Sequence, residues 1–165
     1  VPMHDQYVGA WDEMLRLQSD GLVRSVGVSN FLPEHLDRIV AASGVTPAVN
    51  QIEYQPAWQP TELQRANAKL GIVTEAWSPL GHGAAVTDPT ILRIAAETGH
   101  TPSQVVIAWH LMQQRVVIPK PDTVSQAIEN FAALGVELTA QQCAAINSMA
   151  RPDGRCGPDP MTFVE

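Results

Sequence analysis

Lysine is almost missing from this 165-residue chain, occurring only as Lys69 and Lys120. With 10 Lys and Arg against 17 Asp and Glu, the formal charge is −7, so no basic face is available and nucleic acid is a poor partner. Cysteine is scarce too. Cys143 and Cys156 form no Cys-x-x-Cys pair and have no histidines at ligand spacing, which argues against a metal site and fits a reduced, cytoplasmic protein. Long apolar runs are absent: none approaches the roughly 20 residues that span a bilayer, and no signal-peptide pattern opens the chain. The first residue is Val1 rather than Met, as expected of a truncated or processed product. What is present, 45% hydrophobic and 16% charged residues, matches a globular domain with a buried core.

The hydrophobic period alternates between helix-like and strand-like. A helix is expected over 6–20, with Tyr7, Trp11, Met14, Leu15 and Leu17 near one face and Gly21 as its stop. Strands are expected over 24–29, 48–54, 72–77 and 116–119. Helices begin at Pro33, at Pro60-Thr61, at Asp88-Pro89 and at Thr101-Pro102; the last two pair a capping side chain with Pro at the first helical position. Two further helices follow, over about 123–133 and from Thr139 to about 149. The alternation implies parallel strands with right-handed crossovers. Residues 1–149 then form either a small open sheet or part of a (β/α) barrel, and 150–165 form a loop-like tail.

Polar residues gather toward the ends of these strands: Ser29-Asn30 end the first, Asn50 and Gln51 lie within the second, which finishes at Glu53 and Tyr54, Trp77-Ser78 end the third and Lys120 ends the fourth. In a (β/α) barrel the C-terminal strand ends share the active face. A nicotinamide amide needs the donors and acceptors that Ser29, Asn30 and Gln51 carry. A flat heteroaromatic ring needs a stacking face, which Trp77 offers. A pyrophosphate needs backbone N–H groups from a tight turn such as 79–83. An adenosine phosphate needs a cation, and Lys120 is one. Trp58, just past the second strand, is a candidate for the substrate pocket.

Arg24-Ser25-Val26-Gly27-Val28-Ser29-Asn30-Phe31, Ala48 to Tyr54 followed by Pro56, Ala76 to Gly81, and Ile118 to Lys120 with Glu129-Asn130 together resemble the aldo-keto reductases. The match runs in order over nearly the whole chain. It is nearest to the bacterial 2,5-diketogluconate reductase group, including Trp77 where many relatives have Tyr. The resemblance implies a (β/α)8 TIM barrel of which only about the later half is present. It implies an NADPH-dependent oxidoreductase that reduces aldehydes and ketones to alcohols. Ser29, Asn30 and Gln51 would hold the carboxamide and Trp77 would stack on the ring. Ser78, Leu80 and Gly81 would meet the pyrophosphate. Lys120, Gln126, Glu129 and Asn130 would surround the adenosine end. Two departures matter. Pro121 stands where the family has Ser or Thr, and Gln126 where it has the Arg that clamps a 2′-phosphate, so NADH is possible beside NADPH.

The resemblance also says what is absent. The family's Asp, Tyr, Lys and His lie on earlier strands, so no catalytic residue is assigned here and an upstream half-barrel is needed to complete the fold. His4, Tyr7 and Tyr54 are not substitutes. Alone, the chain is expected to bind cofactor weakly and to catalyse nothing. The alternative is a non-catalytic nucleotide-sensing or protein-binding module. Trp11 and Trp109 are expected in the core, and His35, His100 and His110 as packing or helix-surface residues. Met161 and Phe163 in the tail could cover a substrate.

Overall fold

The structure, a computed structural model, describes residues 6–162. His4 and Phe163 therefore lie outside the described residues. The elements are α1 (Gln6–Ser19), β1 (Val28–Ser29), α2 (Pro33–Ser43), β2 (Val49–Glu53), α3 (Thr61–Lys69) and β3 (Val73–Trp77). They continue with α4 (Pro89–Thr98), α5 (Pro102–Met112), β4 (Val116–Val117), α6 (Val124–Ala132) and α7 (Ala140–Asn147). Short 3-10 turns occupy Gly81–Gly83, Ala85–Thr87 and Ala133–Gly135. No helix among the described residues is long and apolar enough to cross a membrane.

The strand order is β1-β2-β3-β4. β1 runs parallel to β2, with Val28 opposite Asn50 and Ser29 opposite Gln51. β3 runs parallel to β4, with Glu75 opposite Val116 and Ala76 opposite Val117. This is the α/β alternation expected from the sequence. The outer strands are shorter than expected, each a two-residue ladder. The described residues fall into two compact units, one drawn from 6–52, 61–74 and 158–162, the other from 53–60 and 75–157.

In the first unit α1 packs on α2, and Trp11, Val26, Phe31, Leu36, Ile39 and Ile72 form its core. Trp11 is buried as expected, and its indole N–H donates to Ser43 Oγ at 3.1 Å, so its polar edge is satisfied. A chain of buried amides runs beneath the end of β1. Asn50 Nδ2 donates to the Phe31 carbonyl at 2.9 Å and to Asn67 Oδ1 at 3.2 Å, and Asn67 Nδ2 donates to Thr74 Oγ1 at 3.0 Å. Asn50 Oδ1 also accepts from the Phe31 N–H. The chain pins the turn at Ser29–Phe31 from below.

The second unit is built on α5, whose Val105 to His110 are all buried. Three Thr-x-x-Gln capping boxes open α5, α6 and α7, at Thr101, Thr123 and Thr139. Asp88 caps α4 by accepting from the Thr90 N–H at 2.8 Å, with Pro89 at the first helical position. At its centre the Arg115 guanidinium lies over the rings of Tyr54, at 4.0 Å, and Trp109, at 4.4 Å. Arg115 Nε donates to His110 Nδ1 at 3.0 Å. Burial and the neighbouring guanidinium hold the His110 imidazole well below its ordinary pKa, so it is neutral at pH 7. Burial lowers Arg115 to about 10, which still leaves it a cation.

The Asn50–Asn67–Thr74 chain has a measurable consequence. Asn67→Ala leaves the Asn50 amide and the Thr74 hydroxyl short of a partner in a buried setting. It should lower stability by about 1–3 kcal/mol. Urea unfolding of the variant checks this, and a loss below about 0.5 kcal/mol would show that the ladder contributes little.

Candidate functional site

In the first unit the ladder geometry brings Ser29, Asn30 and Gln51 together. Ser29 Oγ donates to the Gln51 carbonyl at 3.1 Å, and the Asn30 N–H donates to the same oxygen at 2.8 Å. Asn30 sits at φ 58, a left-handed conformation that Asn tolerates better than most residues. Its strained turn is what the buried Asn50 holds from below. Neither Asn67 nor Thr74 was anticipated from the sequence, because they bond to other side chains of the protein rather than to a ligand.

In the second unit the segment after β3 forms the expected tight turn. Ser78 (φ 48), Gly81 (φ 57), His82 (φ 52) and Gly83 (φ 92) all lie in the left-handed region. The Gly81 N–H donates to the Ser78 carbonyl at 2.9 Å and the Gly83 N–H to Leu80 at 3.0 Å. Gly81 is required twice over. Its φ disfavours a side chain, and a methyl group there would lie 3.2 Å from Gln55 Oε1.

This turn forms one wall of a cavity of about 670 Å³. Ser78, Leu80 and His82 line it on that side, and Lys120, Gln126, Glu129 and Asn130 on the other. Lys120 is exposed, with its ammonium 3.8 Å from the Asp122 carboxylate. Glu129 is held in place by α5: its Oε1 accepts from Thr101 Oγ1 at 2.6 Å, and its carbonyl accepts from Gln104 Nε2 at 3.1 Å. The volume lies within the range of small-molecule sites, and the lining combines one cation, hydroxyls and amides. A phosphorylated nucleoside fits that chemistry. Gln126 lines the cavity too, but its Oε1 accepts from the Asp122 N–H at 2.7 Å and the Thr123 N–H at 3.2 Å, so it closes the cap of α6.

The tail was the least legible segment, and the structure gives it a seat. The Arg151 N–H donates to the Ala57 carbonyl at 3.0 Å, and Gln55 Nε2 donates to the Gly154 carbonyl at 2.6 Å. The N–H groups of Cys156 and Gly157 donate to the two oxygens of Glu53, at 2.6 and 3.0 Å. A methyl group on Gly157 would lie 2.3 Å from the Trp77 ring, so the tail rests directly on that indole. The Arg155 guanidinium lies 4.5 Å over the Trp58 ring. Both tryptophans expected at the site thus carry tail residues, and Met161 is exposed. The Cys156 thiol sits between Glu53 and Ser78. Burial and then the Glu53 carboxylate push it up to about 11. Cys143 and Cys156 are both free thiols.

The sequence model of the aldo/keto reductase family matches residues 1–151. An aldo-keto reductase of Mycolicibacterium smegmatis is 44% identical over 163 residues, covering 99% of this chain and 59% of that protein. The methylglyoxal reductase DkgA of Salmonella typhimurium is 45% identical over 165 residues, covering 99% and 60%. The chain therefore spans about 60% of the length of these relatives. Among solved structures, a variant of Gox0644 in complex with NADPH superposes with a TM-score of 0.96 at 44% identity, covering 100% of this chain and 61% of that one. An aldo/keto reductase from Brucella melitensis superposes at 0.86 with 38% identity, covering 90% and 56%.

The tail contacts predict thiol behaviour. With its titration pushed to about 11, Cys156 should resist alkylation at pH 8 and react only as the pH approaches 11. Glu53→Gln removes the carboxylate, which lowers the Cys156 pKa and should speed its alkylation at pH 8. Iodoacetamide labelling followed by peptide mass spectrometry reads both, and equal rates in the two proteins would break the Glu53–tail contact.

Proposed function

Because this chain belongs to the aldo/keto reductase family, we propose that it is the cofactor-bearing part of an NADPH-dependent oxidoreductase that reduces aldehydes or ketones to alcohols. The observation that carries this reading is the cavity between the 78–83 turn and Lys120, in a chain 44–45% identical to two reductases. When bound, the nicotinamide supplies a hydride to a carbonyl carbon.

What the chain's own residues do follows from their chemistry. Ser29, Asn30 and Gln51 present a hydroxyl and two amides to the carboxamide, which needs both donors and acceptors. Trp77 gives the ring an aromatic face, steadied by Gly157. The turn N–H groups and Ser78 meet the pyrophosphate, with Leu80 and Gly81 shaping the backbone there. Lys120 and Asn130 hold the adenosine end, Glu129 fixes that wall, and Trp58 borders the carbonyl substrate.

A proton donor for the carbonyl oxygen is a separate requirement. The Tyr7 ring packs edge-on against Phe31 and His35. Tyr54 is 1% exposed beneath Arg115. On this reading neither phenol is the proton donor, and the acid–base group is supplied from outside these residues. An upstream half-barrel would supply it and would also pair the outer strands.

Titration with NADPH should quench the tryptophan fluorescence of the chain, and Lys120→Ala should weaken binding by about tenfold or more. The chain alone should not oxidise NADPH in the presence of methylglyoxal. Fused behind the corresponding leading segment of the Mycolicibacterium smegmatis relative, it should. Turnover by the 165 residues alone would contradict the division of labour, and cofactor binding without turnover in the fusion would favour a nucleotide-sensing module instead.

A further inference from the structure

The wall of the cavity around Lys120 does not suit a 2′-phosphate. That group carries about −1.5 to −2 charge at neutral pH and is held by cations, most effectively by arginine forks. No arginine lines the cavity. Its single ammonium, on Lys120, stands 3.8 Å from the Asp122 carboxylate. Pro121 between them has no N–H to donate. Gln126 offers a neutral amide rather than a cation, and its side-chain oxygen already accepts from the Asp122 and Thr123 N–H groups at the cap of α6. Glu129, a second carboxylate on this wall, is fixed by Thr101.

The same groups suit a 2′-hydroxyl. A carboxylate accepts a hydrogen bond from a ribose hydroxyl and repels a phosphate in its place, which is the logic by which acidic residues select NAD over NADP in other dinucleotide folds. We propose that Asp122 sets the cavity to read a ribose 2′-hydroxyl, so that this chain takes NADH at least as well as NADPH. The proposal rests on the dinucleotide reading of the cavity and specifies which dinucleotide it admits. Asp122 acts in it as a specificity residue, and Gln126, spent on the helix cap, leaves the charge of Asp122 unopposed by any cation but Lys120.

Two small ligands separate the possibilities without any need for turnover. Calorimetric titration of the full chain with adenosine 5′-phosphate and with adenosine 2′,5′-bisphosphate reads the contribution of the 2′-phosphate directly. The monophosphate should bind at least as tightly as the bisphosphate, and NADH at least as tightly as NADPH. Asp122→Asn should improve bisphosphate binding by about threefold to tenfold relative to the monophosphate. Gln126→Arg should improve it by about tenfold or more. Asp122 is exposed, so Asp122→Asn is decisive even if Gln126→Arg, which alters a helix cap, fails to fold by circular dichroism. An unmodified chain that prefers the bisphosphate by tenfold overturns the assignment of Asp122 while leaving the dinucleotide site standing. An unchanged ratio in Asp122→Asn overturns it as well. Binding of neither nucleotide removes the dinucleotide reading itself, and this inference with it.

Discussion

The buried side-chain amide of Gln55 is the contact on which the second unit depends. Its Oε1 accepts from the Ala57 N–H at 2.8 Å and its Nε2 donates to the Gly154 carbonyl at 2.6 Å, while its chain lies beneath Gly81. Gln55 therefore bonds the segment after β2 to the docked tail and packs against the turn after β3. A buried amide left half satisfied would cost about 1–3 kcal/mol, so these three segments are fixed as a set. The 78–83 turn is closed by its own backbone bonds, from the Gly81 N–H to the Ser78 carbonyl and from the Gly83 N–H to the Leu80 carbonyl.

Much of the fold was readable from local chemistry. Asp88-Pro89 and Thr101-Pro102 name their helix starts because a capping oxygen and a proline act within three residues of one another. Core tryptophans were also legible, and Trp11 and Trp109 are 2% and 0% exposed. β1 and β4 came out as two-residue strands, with single inter-strand bonds reaching past them: the Ala48 N–H donates to the Val26 carbonyl at 2.9 Å and the Ile118 N–H to the Ala76 carbonyl at 3.2 Å.

Residues proposed to face a ligand stand out in the sequence by their chemistry, whereas residues that bond to the rest of the chain do not. Ser29 and Ser78 lie at or just past strand ends, Lys120 follows β4 by three residues, and Gln51 sits in the middle of β2 opposite Ser29. Asn67 and Thr74 act on Asn50, seventeen residues or more away, and leave no short motif. The tail is the extreme case: Cys156 and Gly157 bond to Glu53 across more than 100 residues of sequence. Gln126 shows a third situation, in which a residue at a ligand position is occupied by the Thr123 capping box.

On the proposed reading, the cavity between the 78–83 turn and Lys120 takes the adenosine-phosphate end of a dinucleotide. Amide chemical shifts of the isotopically labelled chain, followed during titration with adenosine 5′-phosphate, test this most directly. The predicted result is a saturable set of shifts confined to Leu80–Gly83, Lys120, Asp122 and Glu129–Asn130. Shifts that cluster elsewhere, or none at millimolar nucleotide, would contradict it.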